Sequence, residues 1–262
     1  MGVSMGFFMM KPRGEQTMGY KGRDVEISLL DGGLCLVTAC DSCGAIGAKP
    51  LDQLKVPPQL VGQLTARVAL MEVLCTGAQP QVMTAAISSE PDPTGKGILE
   101  GIRSELEFAG FPNLPLAIST EKNFAPEQTG LGIGVTGACP QSDLRIAKSR
   151  AGDWVHCLGT PRVGKEVAQA LPQEIIGTAQ IQHLLAMEGV HDILPIGSRG
   201  IGAEASGLAR EIGTTFRAAP QEAIDLAKAA GPSTCAIFTC KTPLTLSQMD
   251  SLALTLVGRL AE

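Results

Sequence analysis

Val25-Glu26-Ile27-Ser28-Leu29-Leu30-Asp31-Gly32-Gly33-Leu34-Cys35-Leu36-Val37-Thr38-Ala39 is the stretch on which the fold turns. Two short apolar runs flank Asp-Gly-Gly, the pattern of two strands joined by a tight turn. The second run ends in the polar cluster Asp41-Ser42-Cys43-Gly44. Working outward, Leu60, Leu64, Val68, Met71 and Leu74 recur at helical spacing, and Gly77 with Pro80 supplies a stop, so Glu72 falls near the end of a helix. Residues 82–87 read as a strand and 88–97 as a Pro/Gly/Ser loop. Residues 98–109 read as a second helix closed by Gly110, and 116–119 and 132–138 as further strands. The order β-β-α-β-α-β-β predicts an α+β layer in which any parallel strands need the helices as crossovers.

The charged connection Lys148-Ser149-Arg150-Ala151-Gly152-Asp153 leads into a new apolar strand at 154–158. We place the domain boundary there, giving an N-terminal α+β domain over 1–147 and a C-terminal α/β domain over 148–262. The second half is expected to carry helices near 164–171, 179–188, 202–212 and 221–230, then a strand at 234–240. No period of 20–50 residues recurs, which excludes a solenoid.

With 262 residues, 44% of them hydrophobic, the chain can bury a core without metal or disulfide staples. A net charge of -5 with only seven Phe, one Trp and one Tyr argues against nucleic acid as a partner. No apolar stretch is long enough to span a membrane, and residues 1–10 lack the basic start and cleavage site of a secretory signal, so a cytoplasmic protein is expected. Most of the eight cysteines sit in apolar runs and read as reduced, buried thiols. The thirty-one glycines mark turns and close backbone approaches.

Four carboxylates stand at ends of predicted elements: Asp31, Asp41, Glu72 and Glu121. Such a set suits Mg²⁺, which takes a few carboxylate oxygens and completes its shell with water and phosphate. Gly44, Gly47, Gly130, Gly132 and Gly134 lie beside these acids, where backbone N–H groups can meet phosphate. There is no Walker-type loop, and Gly130-Leu131-Gly132-Ile133-Gly134 does not open a helix, so neither a P-loop nor a dinucleotide fingerprint is present. The lone Cys40-Asp41-Ser42-Cys43 has no second pair at zinc spacing. The three histidines are far apart and no serine sits in a nucleophile elbow, which leaves a hydrolase triad unsupported.

Val37-Thr38-Ala39-Cys40-Asp41-Ser42, Ala66-Arg67-Val68-Ala69-Leu70-Met71-Glu72-Val73-Leu74 running into Gly77-Ala78-Gln79-Pro80, and Gly97-Ile98-Leu99-Glu100-Gly101-Ile102 together resemble the aminoimidazole-ribonucleotide-synthase-like (PurM-like) superfamily. That group includes thiamine-monophosphate kinase, selenophosphate synthetase and a hydrogenase-maturation ATPase. The resemblance implies a two-domain fold whose N-terminal domains pair into a homodimer with a shared barrel, and a cleft for ATP and Mg²⁺. Asp31, Asp41, Glu72 and Glu121 would be the metal ligands, two of them Glu where those kinases carry Asp. Lys49, Arg67, Thr120 and Asn123 would contact ATP, and Ser198 and Arg199, in a Gly-bracketed loop, the substrate. The runs Ser119-Thr120-Glu121-Lys122-Asn123, Gln128-Thr129-Gly130-Leu131-Gly132 and Pro195-Ile196-Gly197-Ser198-Arg199-Gly200-Ile201 are most similar to the alpha-ribazole kinase branch. The implied reaction is phosphorylation of the 5′-hydroxyl of that cobalamin lower-ligand nucleoside. Two alternatives stand beside it: ATP-dependent activation of an amide or carbonyl oxygen, and a non-catalytic nucleotide-binding or thiol-metal module.

Overall fold

The computed structural model describes residues 19–220, 224–245 and 252–261. The first half contains β1 (Val25–Leu30), β2 (Leu34–Gly44), a two-stranded ribbon of β3 (Ile46–Gly47) and β4 (Leu54–Lys55), α1 (Pro58–Cys75), β5 (Gln79–Ile87), α2 (Lys96–Phe108), β6 (Leu116–Thr120) and β7 (Gly130–Pro140). Its main sheet has the order β1-β2-β7-β5-β6. Within that sheet only β5 and β6 run parallel, and α2 is the crossover their parallel pairing demands. The second half adds β8 (Trp154–Gly159), α3 (Lys165–Gln169), α4 (Thr178–Ala186), β9 (Val190–Pro195), α5 (Gly200–Glu211), β10 (Phe216–Ala218), β11 (Cys235–Cys240) and β12 (Leu254–Leu260). Its sheet is ordered β10-β12-β8-β11-β9. This is the mixed helix-and-sheet fold expected from the sequence.

Three differences are informative. The strand expected to end at 39 continues to Gly44, so Asp41 lies within β2 and not beyond it. Strands β9, β10 and β12 were not anticipated. The helix expected over 221–230 is turn and coil at 224–230, while 221–223 lie outside the described residues.

α1 organises the molecule. Ala66, Ala69, Leu70 and Val73 pack into the first core against Val37, Val135 and Ile102. Met71, Leu74 and Cys75 pack into a second core with Leu158, Ile181, Leu184 and Phe238. A helix apolar on nearly every side is one that both halves bury. α2 crosses it closely because glycines stand at the contact: a Cβ on Gly62 would land on the Ile98 carbonyl, and one on Gly101 on that of Gln59. Across the same contact Arg67 Nε and Nη2 donate to both Glu105 oxygens at 2.9 and 2.8 Å. Arg67 is therefore a buried structural cation, which corrects its expected contact with ATP.

A second buried ion cluster ties the halves together. Arg23 Nη2 donates to Asp192 Oδ1 at 2.7 Å and its Nε to Glu211 Oε1 at 2.8 Å. Asp192 also accepts from the Ser149 N–H and hydroxyl. Among the described residues no helix is long and apolar enough to cross a membrane.

Candidate functional site

One face of α1 carries Val61, Thr65, Val68 and Glu72, spaced so that they stack along the helix. Opposite it, alternation along β2 turns Asp41 and Cys43 inward with Ala39, and Cys40 and Ser42 to the outer face. Cys40 and Cys43 thus point to opposite sides of one sheet, and the thiol-metal reading loses its chelate. Between this wall and the loops at Gly164, Ser198 and Ser233 of the second half lies a cleft of about 510 Å³. Asp24, Asp41 and Glu72 line one end, and Leu54, Val56, Leu60, Val61 and Leu64 the other.

The acids outnumber the cations near them. Burial pushes the Asp41 carboxyl up to about 6, with the Asp24 charge adding to the rise and the Ser42 N–H opposing it. Burial raises Glu72 well above the carboxylate range, reinforced by Asp24 and Glu204 and opposed by Arg23. Glu204, on α5, is raised by burial although Arg199 Nε and Nη2 hold both its oxygens at 2.9 and 3.0 Å. A carboxylate in that state takes up either a proton or a cation.

Asp31 is not part of this group. The hairpin register pairs Val25 with Ala39 and Leu30 with Leu34, so Asp31 stands at the turn while residue 24 comes beside residues 40 and 41. Asp24 occupies the place expected of Asp31, and the register of the two apolar runs is the signal that could have identified it. Glu121 is also elsewhere. Asp41 pairs with Ile133, Ile133 with Ala85, and Ala85 with Ile118. Three strand spacings, roughly 14 Å, therefore separate β2 from the strand that leads to Glu121. Its carboxylate instead accepts the Asn123 and Phe124 N–H groups at 2.6 and 3.2 Å. It borders a second recess with Lys49, Glu90, Lys122 and Asn123. Lys49 is bound there to Glu90 at 2.5 Å. Thr120 ends β6 above that recess. Of the expected site residues, then, Asp41, Glu72 and Ser198 share the main cleft, with Arg199 beside them, whereas Lys49, Glu121 and Asn123 share the recess.

The donor set suits a hard cation through oxygen ligands. Among the described residues no three acidic, His or Cys side chains are close enough to enclose one ion. Mg²⁺ fits such a wall, since it binds through one or two carboxylates and keeps water and phosphate in the rest of its shell.

Residues 22–138 match the family of AIR synthase related protein, N-terminal domain. No curated protein matches the sequence. Among solved structures, thiamine monophosphate kinase from Aquifex aeolicus is 17% identical with a TM-score of 0.64, over 91% of this chain and 89% of that one. HypE of E. coli is 18% identical with a TM-score of 0.64, over 87% and 80%. PurL of T. maritima, complexed with ATP, is 17% identical with a TM-score of 0.59, over 95% of this chain and 39% of that one. At these identities the likeness establishes the PurM-like fold.

Proposed function

We propose that the protein transfers the γ-phosphoryl group of Mg-ATP to the 5′-hydroxyl of alpha-ribazole, acting as a homodimer. The observation that carries this reading is the polarity of the cleft along α1: carboxylates without matching cations at one end, aliphatic side chains at the other. One end suits phosphates and their counter-ion, and the other an uncharged organic acceptor. Nucleotide use is supported by two proteins of this fold: T. maritima PurL is complexed with ATP, and AaThiL with AMPPCP and TMP.

One or two of the carboxylates of Asp24, Asp41 and Glu72 would hold Mg²⁺, which would supply neutralisation of the phosphate charge. Ser198, exposed on the facing loop, and the Arg199 guanidinium beside it would orient the acceptor's sugar and the oxygens of the transferred phosphoryl group. As the γ-phosphorus–oxygen bond to ADP breaks, a bond forms to the 5′-oxygen, and the hydroxyl proton leaves to solvent. The chain's work in such a transfer is placement and charge, with no covalent intermediate required.

The homodimer is supported by the outer face of the first sheet. Thr38, Cys40, Thr84, Ala86, Gly132 and Gly134 are small and uncharged on that face, with Leu34 left 39% exposed beside them and Glu26 of β1 next to Thr38 at its margin. Covering such a face and its strand edges gives association a physical motive.

Purified protein with Mg-ATP should consume ATP only when alpha-ribazole is present, and Asp41→Asn should abolish that consumption with the circular dichroism unchanged. ATP use stimulated instead by thiamine monophosphate or by an amide would reject the acceptor.

A further inference from the structure

The second half closes the cleft with two loops that are tied to each other. The Ala230 N–H donates to the Gly197 carbonyl at 3.0 Å, which brings Gly231, Pro232 and Ser233 beside Gly197 and Ser198 along one rim. Thr234 fixes the far end of the 230–234 loop. Its N–H donates to the Ala230 carbonyl at 3.0 Å and its hydroxyl to the Thr160 carbonyl at 2.9 Å.

Ser233, between these fixed points, is the exception. It lines the cleft and is only 3% exposed, yet neither its N–H nor its hydroxyl has a hydrogen-bond partner among the described residues. A buried residue with both donors unpaired is rare, because the bonds they would make to water go unreplaced. Its φ is +44°, a left-handed conformation that disfavours any side chain and that glycine adopts freely. Glycine would be the more stable residue here, so the hydroxyl sits where the protein itself makes no use of it.

The other polar groups of the cleft are accounted for differently. Ser42 and Ser198 also line it, but both are exposed, where water serves them. The β2 edge beyond Ala39, which β1 does not reach, belongs to the opposite wall with Asp41, and the Ser42 N–H there already bonds the Asp41 carboxylate. Thr65 donates to the Val61 carbonyl at 2.8 Å, and Glu204 is taken by Arg199. α5 starts beside Ser198 without a side-chain cap, so the positive end of its dipole lies at this rim.

We propose that Ser233 donates its N–H and hydroxyl to a phosphoryl oxygen of the bound ligand, from the side of the cleft opposite Asp41 and Glu72. A phosphoryl oxygen accepts and does not donate, which matches two donors on one residue, and its charge suits the start of α5. The inference rests on the phosphotransferase reading for what the phosphate does and not for its binding, so its test reads binding alone.

Inorganic tripolyphosphate with Mg²⁺ carries the phosphate chain without base or acceptor, and its calorimetric titration into the full-length protein is expected to saturate. Ser233→Ala keeps the left-handed backbone and loses the hydroxyl, and should weaken binding roughly tenfold, the worth of one hydrogen bond to a charged group. Ser233→Gly loses the strain as well, so it should melt no lower than wild type and bind as weakly as Ser233→Ala. Ser42→Ala, on the opposite wall, should bind as wild type does. Absence of binding by the wild type, unchanged binding in both Ser233 variants, a loss confined to Ser42→Ala, or a Ser233→Gly protein destabilised in step with its lost binding would overturn the proposal. Tripolyphosphate binding that depends on Ser233, in a protein that transfers no phosphoryl group to alpha-ribazole, would uphold the contact and reject the kinase reading.

Discussion

Glu72 shows how a single residue can cost stability and serve function. Burial on α1, reinforced by neighbouring carboxylates, disfavours its charged form, so neutral Gln in its place should raise thermal stability at pH 8. If one of the proposed Mg²⁺ ligands is Glu72, the same Glu72→Gln change should remove any stabilisation by Mg²⁺, read by thermal melts with and without the ion. As a proposed ligand, Asp41 would set the pH dependence of that ion effect. Its carboxyl is raised to about 6, so protons compete with the cation below that value. Mg²⁺ stabilisation should be weak at pH 5, grow through pH 6 and level off above 7, and a flat profile would count against Asp41 as a ligand. His156 works on overall stability with its own sign. It stacks on Phe238 in the core, and burial lowers its pKa to about 4. The unfolded chain protonates near 6.5 and the folded one only near 4, so stability is lost as pH falls through that window, by about 3 kcal/mol. His156→Gln should flatten that slope in urea titrations between pH 6.5 and 4. At this scale the sequence made Asp41 and Glu72 legible because they end or interrupt apolar runs. Asp24, which precedes such a run, and Arg67, whose partner lies on another helix, needed the register and the packing.

α1 carries the account at the level of elements. Its glycine contact with α2 leaves no room for a methyl group, and Gly101→Ala should destabilise the protein by about 1–3 kcal/mol, as overpacking does. Removing one partner of the Arg67–Glu105 pair, which is 7% and 0% exposed, should cost about 3–5 kcal/mol in Arg67→Met because Glu105 is left buried alone. A denaturant midpoint within 0.5 kcal/mol of wild type (an order-of-magnitude limit for surface changes) in either variant would contradict this packing. The elements that sequence periodicity marks are those with clean patterns: α1, α2, β1 and β8. β12 is broken by a register shift between Leu256 and Gly258, where the Phe216 ring fills the space a side chain would take. β9 carries Asp192, fully buried against Arg23, in a place where an acid reads as solvated. Both exceptions arise from tertiary contacts that a one-dimensional pattern does not contain.

For the whole molecule, two sheets share one helix, an ion cluster at Arg23 locks them, and the cleft lies where they meet. The outer face of the first sheet makes the molecule's association testable. Thr38 and Thr136 face each other there across β2 and β7, their hydroxyls 3.1 Å apart. Thr136→Arg should shift light scattering from a dimer to the 27.2 kDa mass of one chain, and a wild type already at that mass at micromolar concentration would refute the dimer. The cleft's chemistry is decided most directly by phosphorus NMR of the complete protein with Mg-ATP and alpha-ribazole. The account predicts loss of the γ-phosphate signal with matching growth of ADP and one new phosphomonoester signal, and no inorganic phosphate. Inorganic phosphate appearing in step with ADP, or no turnover at all, would contradict it.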